Sequence, residues 1–315
     1  MSRSIVAAAA QLGPIQRSDD RKSVVKRLIA LLEEAASRGA ELVVFPELAL
    51  TTFFPRWHLT DREEIDAFYE KQMPGPETQP LFDAAKRLGI GFYLGYAEIA
   101  VEDGETNHYN TAILVDRSGT IVGKYRKVHL PGWDAPQADL EAQHLEKYFF
   151  KPGNFGFKVW KTMGTRIGMC ICNDRRWAET YRVMALKGAE MILVGYNTPI
   201  DHTGVYDFDS LTEFHNQLSI QAGAYQNSTW VVATAKAGLE EGSNMIGQSM
   251  IVAPSGQIAA MALGTGDEVI TARCDLDMAA LYRRTIFDFA RHREPKHYGI
   301  ITKTKGPIIS DDEAV

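Results

Sequence analysis

Short apolar runs alternate with helix-like patterns along this chain, and this alternation constrains the fold more than any other feature. Ile5 to Leu12 is an apolar run that Gly13-Pro14 ends. Apolar residues then recur at helical spacing as far as Gly39, and Leu42 to Phe45 is apolar again. A strand, a helix and a strand of these lengths predict a βαβ-type unit.

The middle of the chain has a different pattern. Residues 91–99, 108–116 and 120–128 are predicted as strands joined by short polar turns, which indicates hairpins and a mixed sheet. Strands and helices alternate again after residue 157. We found no linker and no repeat, so the prediction is one α/β domain over residues 1–315, with two sheets stacked between two helical layers.

Composition narrows the class of protein. The 315 residues are 45% hydrophobic and 23% charged, which is typical of a globular protein. The net charge of -6 gives no electrostatic reason to bind nucleic acid or an anionic membrane surface. No apolar run approaches the roughly 18 residues of a membrane span, and three cysteines do not make a disulfide framework. We therefore expect a cytoplasmic protein.

Three predicted strands end on reactive side chains. Glu47 follows Val-Val-Phe-Pro, Lys127 follows Gly-Lys-Tyr-Arg, and Cys172 follows Ile-Gly-Met-Cys-Ile. A Glu or Lys alone is most often a surface charge, and a single Cys is most often a core residue. Side chains just beyond strand ends line the ligand crevice of α/β sheets, so the shared position favours one common site.

These three groups suffice for attack on a carbonyl-like carbon. An ordinary thiol is protonated at neutral pH, and the carboxylate of Glu47 can take its proton. We expect the ammonium of Lys127 and the start of the next helix to favour the Cys172 thiolate. The same ammonium would stabilise a later oxyanion.

Arg175 and Arg176 follow the proposed nucleophile closely, and we predict that they lie in the first turn of a helix. A cation there has the wrong sign for the helix dipole, which favours another use, such as binding a substrate carboxylate. The predicted loop 131–147 contains His144, Glu146 and Lys147. Two interpretations stay open for it: surface residues with a local Glu146–Lys147 pair, or a cover over the site.

No cofactor motif accompanies these residues. Cys170 and Cys172 have no second Cys or His pair at metal-ligand spacing, and the phosphate-binding and dinucleotide-binding glycine motifs are absent from the sequence. We expect neither a metal nor an organic cofactor.

Three ordered motifs make the chain resemble the nitrilase superfamily of carbon–nitrogen hydrolases. They are Val-Val-Phe-Pro-Glu47-Leu, Gly-Lys-Tyr-Arg-Lys127-Val-His-Leu-Pro and Cys172-Asn-Asp-Arg-Arg-Trp-Ala-Glu. Within the superfamily the chain is most similar to N-carbamoyl-D-amino acid amidohydrolases, in the segments 46–57, 143–147, 172–177 and 195–199. It departs from that group at Ala178, where proline is usual, and in the loop 132–139.

The resemblance implies a four-layer α-β-β-α sandwich and a homo-oligomer, either dimer or tetramer, with the segment 287–315 docked on a neighbouring subunit. It implies Glu47 as base and acid, Lys127 as oxyanion stabiliser, Cys172 as nucleophile and Glu146 as an additional carboxylate. It implies that Arg175 and Arg176 hold the substrate carboxylate. The remaining implied pocket residues are Asn173, His144, His129, Asn197 and Thr198.

The expected activity is therefore hydrolysis of N-carbamoyl-D-amino acids to D-amino acid, ammonia and carbon dioxide. The D configuration comes from the resemblance alone. An aliphatic amidase or a β-ureidopropionase would use the same three groups on another acyl group. A non-catalytic binding subunit built on this fold is the remote alternative. Phe53, Phe54, Trp57 and Trp133 indicate an apolar pocket for the substrate.

Overall fold

The computed structural model describes residues 2–137, 143–200 and 206–309. The strands in these ranges are β1 (Ser4–Gln11), β2 (Leu42–Val44), β3 (Gly91–Glu102), β4 (Glu105–Val115), β5 (Ile121–Arg126), β6 (Val159–Thr162), β7 (Thr165–Ile171), β8 (Met191–Tyr196), β9 (Trp230–Ala235), β10 (Ala237–Glu240), β11 (Ser243–Ile246), β12 (Met250–Val252), β13 (Ile258–Met261) and β14 (Glu268–Asp275). The helices there are α1 (Arg21–Ser37), α2 (Arg62–Asp66), α3 (Gln79–Leu88), α4 (Glu146–Phe149), α5 (Ala178–Leu186), α6 (Tyr206–Asp209), α7 (Thr212–Asn227), α8 (Leu276–Arg283), α9 (Phe289–His292) and α10 (Gly299–Lys303).

In the described part of the chain, twelve of the strands form two six-stranded mixed sheets, and β10 and β11 pair separately. The orders of the two six-stranded sheets are β14-β1-β2-β3-β4-β5 and β13-β12-β9-β8-β7-β6. The inner strands of each sheet, β1–β2–β3 and β7–β8–β9, run parallel, and the outer pairs are antiparallel. The predicted mixed sheet is therefore confirmed, and the carboxyl ends of the parallel strands meet at one edge of each sheet.

Alternation along the strands creates the layers. Successive side chains of a strand point to opposite faces. In β1, Ile5, Ala7 and Ala9 belong to the core between the sheets, whereas Ala8 and Ala10 pack in a second core under α1 and α3. Helices α5 and α7 cover the other sheet with buried side chains such as Met184, Ile220 and Ala224. This is the α-β-β-α sandwich that the sequence predicted.

Several local predictions were wrong. The hairpin β10–β11 was missed, and the predicted loop 131–147 contains the start of α4. Arg175 and Arg176 do not lie in a helical first turn: Cys172–Arg176 is a separate 3-10 turn, and α5 begins only at Ala178. Trp177 has extended backbone between the turn and the helix, so the turn and α5 are not one continuous helix.

The segment after α8 packs partly on its own chain. The Phe287 ring lies 5.0 Å from the Tyr225 ring, and the Arg182 guanidinium lies 4.3 Å above Phe289. Docking of 287–315 on a neighbouring subunit stays a prediction, and residues 310–315 fall outside the described ranges. Among the described helices, none is both long and apolar enough to cross a membrane.

Leu193 tests the central core. It lies on β8 with no exposed surface. Leu193→Ala should lower the free energy of unfolding by about 2–5 kcal/mol, because the truncated side chain leaves a cavity. Urea denaturation followed by circular dichroism measures the change. Leu263, which is 87% exposed, is the matched control, and Leu263→Ala should change the stability by less than about 0.5 kcal/mol. Equal losses in both variants would contradict this assignment of the core.

Candidate active site

Three strand ends bring their reactive side chains to one buried place. Glu47 lies three residues after the end of β2, and Lys127 and Cys172 directly follow β5 and β7. All three residues are buried, and the ammonium of Lys127 lies 2.7 Å from Glu47 Oε1. Both sheets thus contribute to one site: Glu47 and Lys127 follow strands of the first sheet, and Cys172 follows a strand of the second.

Two glycines fix the backbone at Glu47. A Cβ atom on Gly95 of β3 would lie 2.7 Å from the carbonyl oxygen of Pro46, and one on Gly195 of β8 would lie 2.7 Å from the amide nitrogen of Glu47. Real Cβ atoms do not approach backbone so closely. Only glycine at both positions allows β3 and β8 to pack directly against the backbone of Pro46 and Glu47. This packing sets the position of the Glu47 side chain.

Lys127 is shared between two carboxylates. Its ammonium donates to Glu47 Oε1 at 2.7 Å and to Glu146 Oε2 at 2.6 Å, and all three side chains are fully buried. Burial disfavours the charged ammonium, but the two carboxylates outweigh it and raise the pKa of Lys127. Glu146 accepts further from His144 at 3.0 Å. The open choice for Glu146 is settled: it pairs with Lys127 and His144, not with Lys147.

Of the two carboxylates that contact Lys127, Glu47 takes up a proton more readily than Glu146. Burial is the main cause that raises the pKa of Glu47, and repulsion by Glu146 adds to it, while Lys127 opposes it. The pKa of Glu146 is lowered, because attraction to Lys127 and the bond from His144 outweigh burial. Asn110, which the sequence reasoning missed, donates to Glu47 Oε1 at 2.7 Å. Glu47 is therefore suited to accept and release a proton.

Cys172 sits in a strained turn that Asp174 holds. Its φ is 45°, in the left-handed region that is uncommon for a side chain other than glycine. Asp174 accepts from the Ile171 amide at 3.0 Å, the Tyr125 hydroxyl at 2.7 Å and the His129 amide at 3.0 Å. Sequence reasoning gave Asp174 no role. Its buried carboxylate ties the turn to the chain after β5, and so places the thiol beside Lys127.

The thiol is protonated at rest. Burial is the main cause that raises the pKa of Cys172, and Glu47 adds to it, while Lys127 and Arg175 oppose it. Cys172 Sγ donates to the carbonyl oxygen of Asn197 at 3.4 Å. Lys127 favours the thiolate, as predicted, but burial outweighs it; the predicted contribution of a helix start is wrong, because α5 begins six residues later. Attack by the Cys172 sulfur would therefore need a base to accept the thiol proton.

Asn197 connects the Cys172 thiol and the Glu47 carboxylate. Its amide N–H donates to Glu47 Oε2 at 3.1 Å, and its side chain donates to the Glu47 carbonyl oxygen at 2.8 Å. Its own carbonyl oxygen accepts from the Cys172 thiol. Asn197 directly follows β8, so the end of one strand orients both reacting groups.

The two adjacent arginines have different surroundings. Arg175 is 1% exposed and donates to Asn216 Oδ1 at 2.9 Å, the Cys172 carbonyl oxygen at 2.8 Å and Thr198 Oγ1 at 3.0 Å. These bonds leave it supporting the Cys172 turn, and the prediction that it holds a substrate carboxylate is corrected on that ground. Arg176 keeps exposed surface although protein surrounds its guanidinium. This crowding, together with the Arg175 cation, lowers the pKa of Arg176 to about 10, so it is charged at neutral pH.

A cavity of ≈ 450 Å³ opens onto the thiol. Its lining in the described ranges comprises Pro131, Gly132, Trp133, His144, Lys147, Cys172, Asn173, Arg176, Asn197, Thr198 and Pro199. Asn173, His144, Asn197 and Thr198 therefore lie where they were predicted. Two residues of this lining carry a full charge at neutral pH, Arg176 and Lys147, and both are cations. Arg176 and Lys147 are therefore the groups that can meet an anionic part of a ligand.

Other predicted lining residues support the site from behind. His129 bonds Asp174 Oδ1 at 2.8 Å and stacks on Trp177, and it is absent from the described cavity lining. Of the four aromatic residues expected around the substrate, Trp133 lines the cavity, whereas Phe53, Phe54 and Trp57 pack in a separate apolar cluster. Residues 138–139 of the loop 132–139 lie outside the described ranges.

The arrangement can carry out acyl transfer through sulfur. A thiol, a carboxylate of raised pKa and a buried ammonium face one cavity, which provides nucleophile, proton acceptor and oxyanion partner. Within the described residues no group of three or more His, Cys, Asp or Glu side chains is arranged to hold a metal ion.

Comparison with known proteins agrees with this chemistry. The chain matches the carbon–nitrogen hydrolase family model over residues 6–284. It is 31% identical to a nitrilase of Pyrococcus abyssi, covering 93% of this chain and 99% of that protein. It is also 31% identical to an N-carbamoylputrescine amidase of Arabidopsis thaliana, covering 92% and 94% respectively. The crystal structure of a carbon–nitrogen hydrolase from Helicobacter pylori superposes with a TM-score of 0.81 at 23% identity, covering 95% of this chain and 99% of that one.

Alkylation tests the state of the thiol. Iodoacetamide should modify Cys172, which lines the cavity, before Cys170 and Cys274, which have no exposed surface. Because burial raises the pKa of Cys172 above its ordinary value of 9.0, the rate should keep rising as the pH passes 9. Peptide mass spectrometry after timed alkylation gives the rate at each cysteine, with Cys170 and Cys274 as internal controls. A rate that levels off below pH 8 would show a resting thiolate.

Proposed function

This chain belongs to the carbon–nitrogen hydrolase family, and from that premise we propose that it hydrolyses the ureido C–N bond of N-carbamoyl-D-amino acids. It is an enzyme of the amidase type, acting on amide or carbamoyl C–N bonds. The observation that carries the finer proposal is the cavity above Cys172, which Arg176 and Lys147 line as two cations. They suit a substrate with a carboxylate.

In the first step the Cys172 sulfur attacks the ureido carbon while Glu47 accepts the thiol proton. Both groups already bond Asn197, so this transfer needs little movement. The C=O bond becomes an oxyanion, which Lys127 and the backbone N–H of Asn173 stabilise. The tetrahedral intermediate collapses when Glu47 gives its proton to the leaving nitrogen. The C–N bond breaks, ammonia departs, and the acyl group remains on sulfur as a thioester.

In the second step water replaces the sulfur. Glu47 accepts a proton from water, whose oxygen attacks the thioester carbon, and the same ammonium stabilises the second oxyanion. The C–S bond breaks and the thiol recovers its proton from Glu47. The released N-carboxy amino acid loses carbon dioxide and gives the free amino acid. Lys127 stays charged throughout, because Glu146 holds it together with Glu47.

Three observations support the choice of substrate. The chain resembles N-carbamoyl-D-amino acid amidohydrolases in its motifs, and a relative of 31% identity is named for the carbamoyl compound N-carbamoylputrescine. That compound carries an ammonium, which Arg176 and Lys147 would repel, so a carboxylate is the better match in this chain. The D configuration rests on the motifs alone.

β-Ureidopropionate is the second candidate, because it combines a ureido group with a carboxylate and also suits the two cations. A simple aliphatic amide has no anionic group for Arg176 or Lys147 to bind. A non-catalytic role would leave the buried Glu47–Lys127–Glu146 set without use. A panel of N-carbamoyl-D-amino acids, their L forms, β-ureidopropionate and aliphatic amides separates these substrates by kcat/KM.

Cys172→Ala tests the covalent mechanism. The wild-type enzyme, quenched with acid during turnover, should gain the mass of the substrate less ammonia, because the amino acid stays on sulfur after the first step. Cys172→Ala should show no adduct and no turnover. Cys274→Ala, a buried cysteine far along the chain, is the control and should keep both. Turnover by Cys172→Ala would refute the mechanism, and an adduct of constant mass for all substrates would show that the other C–N bond breaks first.

Arg176→Gln tests the carboxylate site. It should lower kcat/KM for an N-carbamoyl amino acid by roughly tenfold or more, since a charge-assisted bond is lost. For the corresponding N-carbamoyl amino-acid amide, which lacks the carboxylate, kcat/KM should fall far less. Arg166→Gln, at the opposite end of β7, is the control and should change neither substrate. Equal losses for the acid and its amide would show that Arg176 does not bind the carboxylate.

A further inference from the structure

A second buried set of ion pairs lies beside the proposed site and takes no part in the mechanism above. It consists of Arg56, Lys236 and Glu240, which are 8%, 0% and 0% exposed. We call it the rear cluster. Burying three charged groups costs several kcal/mol per ion before pairing, so a set of this kind needs an explanation beyond chance surface contact.

Glu240 is the centre of the rear cluster. Its Oε1 accepts from Arg56 Nη2 at 2.7 Å and from the Phe53 amide at 2.8 Å. Its Oε2 accepts from the Ile15 amide at 3.0 Å and lies 3.0 Å from the Lys236 ammonium. Arg56 also donates to the Glu240 carbonyl oxygen at 2.8 Å. The carboxylate therefore ties the loop after Glu47 to the hairpin β10–β11.

The rear cluster supports the segment that carries the catalytic carboxylates. Lys236 donates to the Thr51 carbonyl oxygen, four residues after Glu47. The Phe53 ring packs edge-on at 5.3 Å from the His144 ring, and the Pro55 carbonyl oxygen accepts from the Leu145 amide at 2.8 Å. His144 in turn bonds Glu146. One loop, 51–56, thus connects the rear cluster to both ends of the Glu47–Lys127–Glu146 set.

Lys236 also lies close to Glu47 by strand register. Tyr196 of β8 is paired with Ala235 of β9 in a parallel ladder, so Asn197 and Lys236, the residues that follow these two strands, lie side by side. Neighbouring strands lie about 4.8 Å apart. The Asn197 amide donates to Glu47 Oε2, which places the Lys236 cation within Coulombic reach of that carboxylate.

The charges of the two sets are complementary. Two carboxylates face one ammonium in the proposed site, which leaves one net negative charge. In the rear cluster Arg56 and Lys236 both pair with the single carboxylate of Glu240; burial lowers the pKa of Lys236, and attraction to Glu240 opposes that shift. Tyr93 and the Cys172 thiol also lie within electrostatic reach of Glu47, and the Arg175 cation acts on that thiol.

Charged groups also lie on the outer side of the rear cluster. Arg27 of α1 pairs with Asp267 at 2.6 Å. Glu241 in the β10–β11 turn accepts from the Arg17 amide. The Arg17 amide is uncharged, so Glu241 keeps its negative charge, which acts on Arg56. The cation of the rear cluster that lies within Coulombic reach of Glu47 is Lys236.

We propose that the rear cluster positions the Glu47 loop and that the Lys236 cation, held by Glu240, stabilises Glu47 as a carboxylate, which makes Lys236 and Glu240 positioning residues for the reaction. The proposal rests on the proposed function, in which Glu47 must be ionised to accept the thiol proton. Two charge changes at the rear cluster act on Glu47 in opposite directions, whereas a purely structural role gives no such opposition.

The test is the acid limb of kcat/KM against pH, measured with the full-length enzyme and its best N-carbamoyl amino acid. Lys236→Met removes a positive charge, destabilises the Glu47 carboxylate, and should move the limb to higher pH. Glu240→Gln removes a negative charge and should move the limb to lower pH. Each shift should be on the order of one pH unit for a charge a few strand spacings away in protein. Lys236→Arg, which keeps the charge, should restore the wild-type limb.

Circular dichroism and thermal melting identify which variants are folded. Folded variants with unchanged limbs, or with limbs that move in the same direction, would overturn the proposal, and so would loss of folding in both Lys236→Met and Glu240→Gln. Failure of the proposed function itself looks different, because wild-type enzyme would then not turn over the substrate or Cys172→Ala would remain active.

Discussion

The buried ammonium of Lys127 between two carboxylates is the interaction on which the rest of this structure depends. A lone charge in this interior would be prohibitively costly, and either carboxylate without Lys127 would take up a proton. Together they form a set with one excess negative charge. This excess is useful to a base: burial and Glu146 keep the proton affinity of Glu47 high, while Lys127 keeps the group ionisable. In the proposed mechanism the same ammonium also stabilises the oxyanion, so a single cation would serve the ground state and the intermediate.

The fold fixes the positions of Glu47, Lys127 and Glu146. The parallel strands end at one edge of each sheet, and face-to-face packing brings the two edges together. The Tyr93 hydroxyl of β3 donates to the Cys170 carbonyl oxygen of β7 at 3.1 Å, a direct bond between the sheets two residues before Cys172. Gly95 and Gly195 hold the Glu47 segment between them. Precision in the site therefore comes from strands of the core, with the cavity walls supplied by loops.

Sequence could predict the parts of the site that strand ends mark. Glu47, Lys127 and Cys172 each follow an apolar run, and that local pattern is visible without a structure. It could not separate Arg175 from Arg176, because adjacent residues in a 3-10 turn point in different directions that distant partners such as Asn216 decide. It missed Asp174 and Asn110 for a related reason. Each acts through contacts with residues many positions away, and a polar residue in a turn or a strand has no local mark of such a role.

The contacts of Asn197 have a consequence for how this enzyme can vary. The link from Glu47 to Cys172 passes through the peptide groups of Asn197: the amide donates to Glu47, and the carbonyl oxygen accepts from the thiol. Every amino acid except proline offers that same N–H and C=O pair. An alanine scan would leave this link chemically intact and would register only the loss of the side-chain bond to the Glu47 carbonyl oxygen. The main-chain path at Asn197 therefore sets part of the geometry of the site. Neither side-chain mutagenesis nor comparison of residue identities can detect this main-chain contribution.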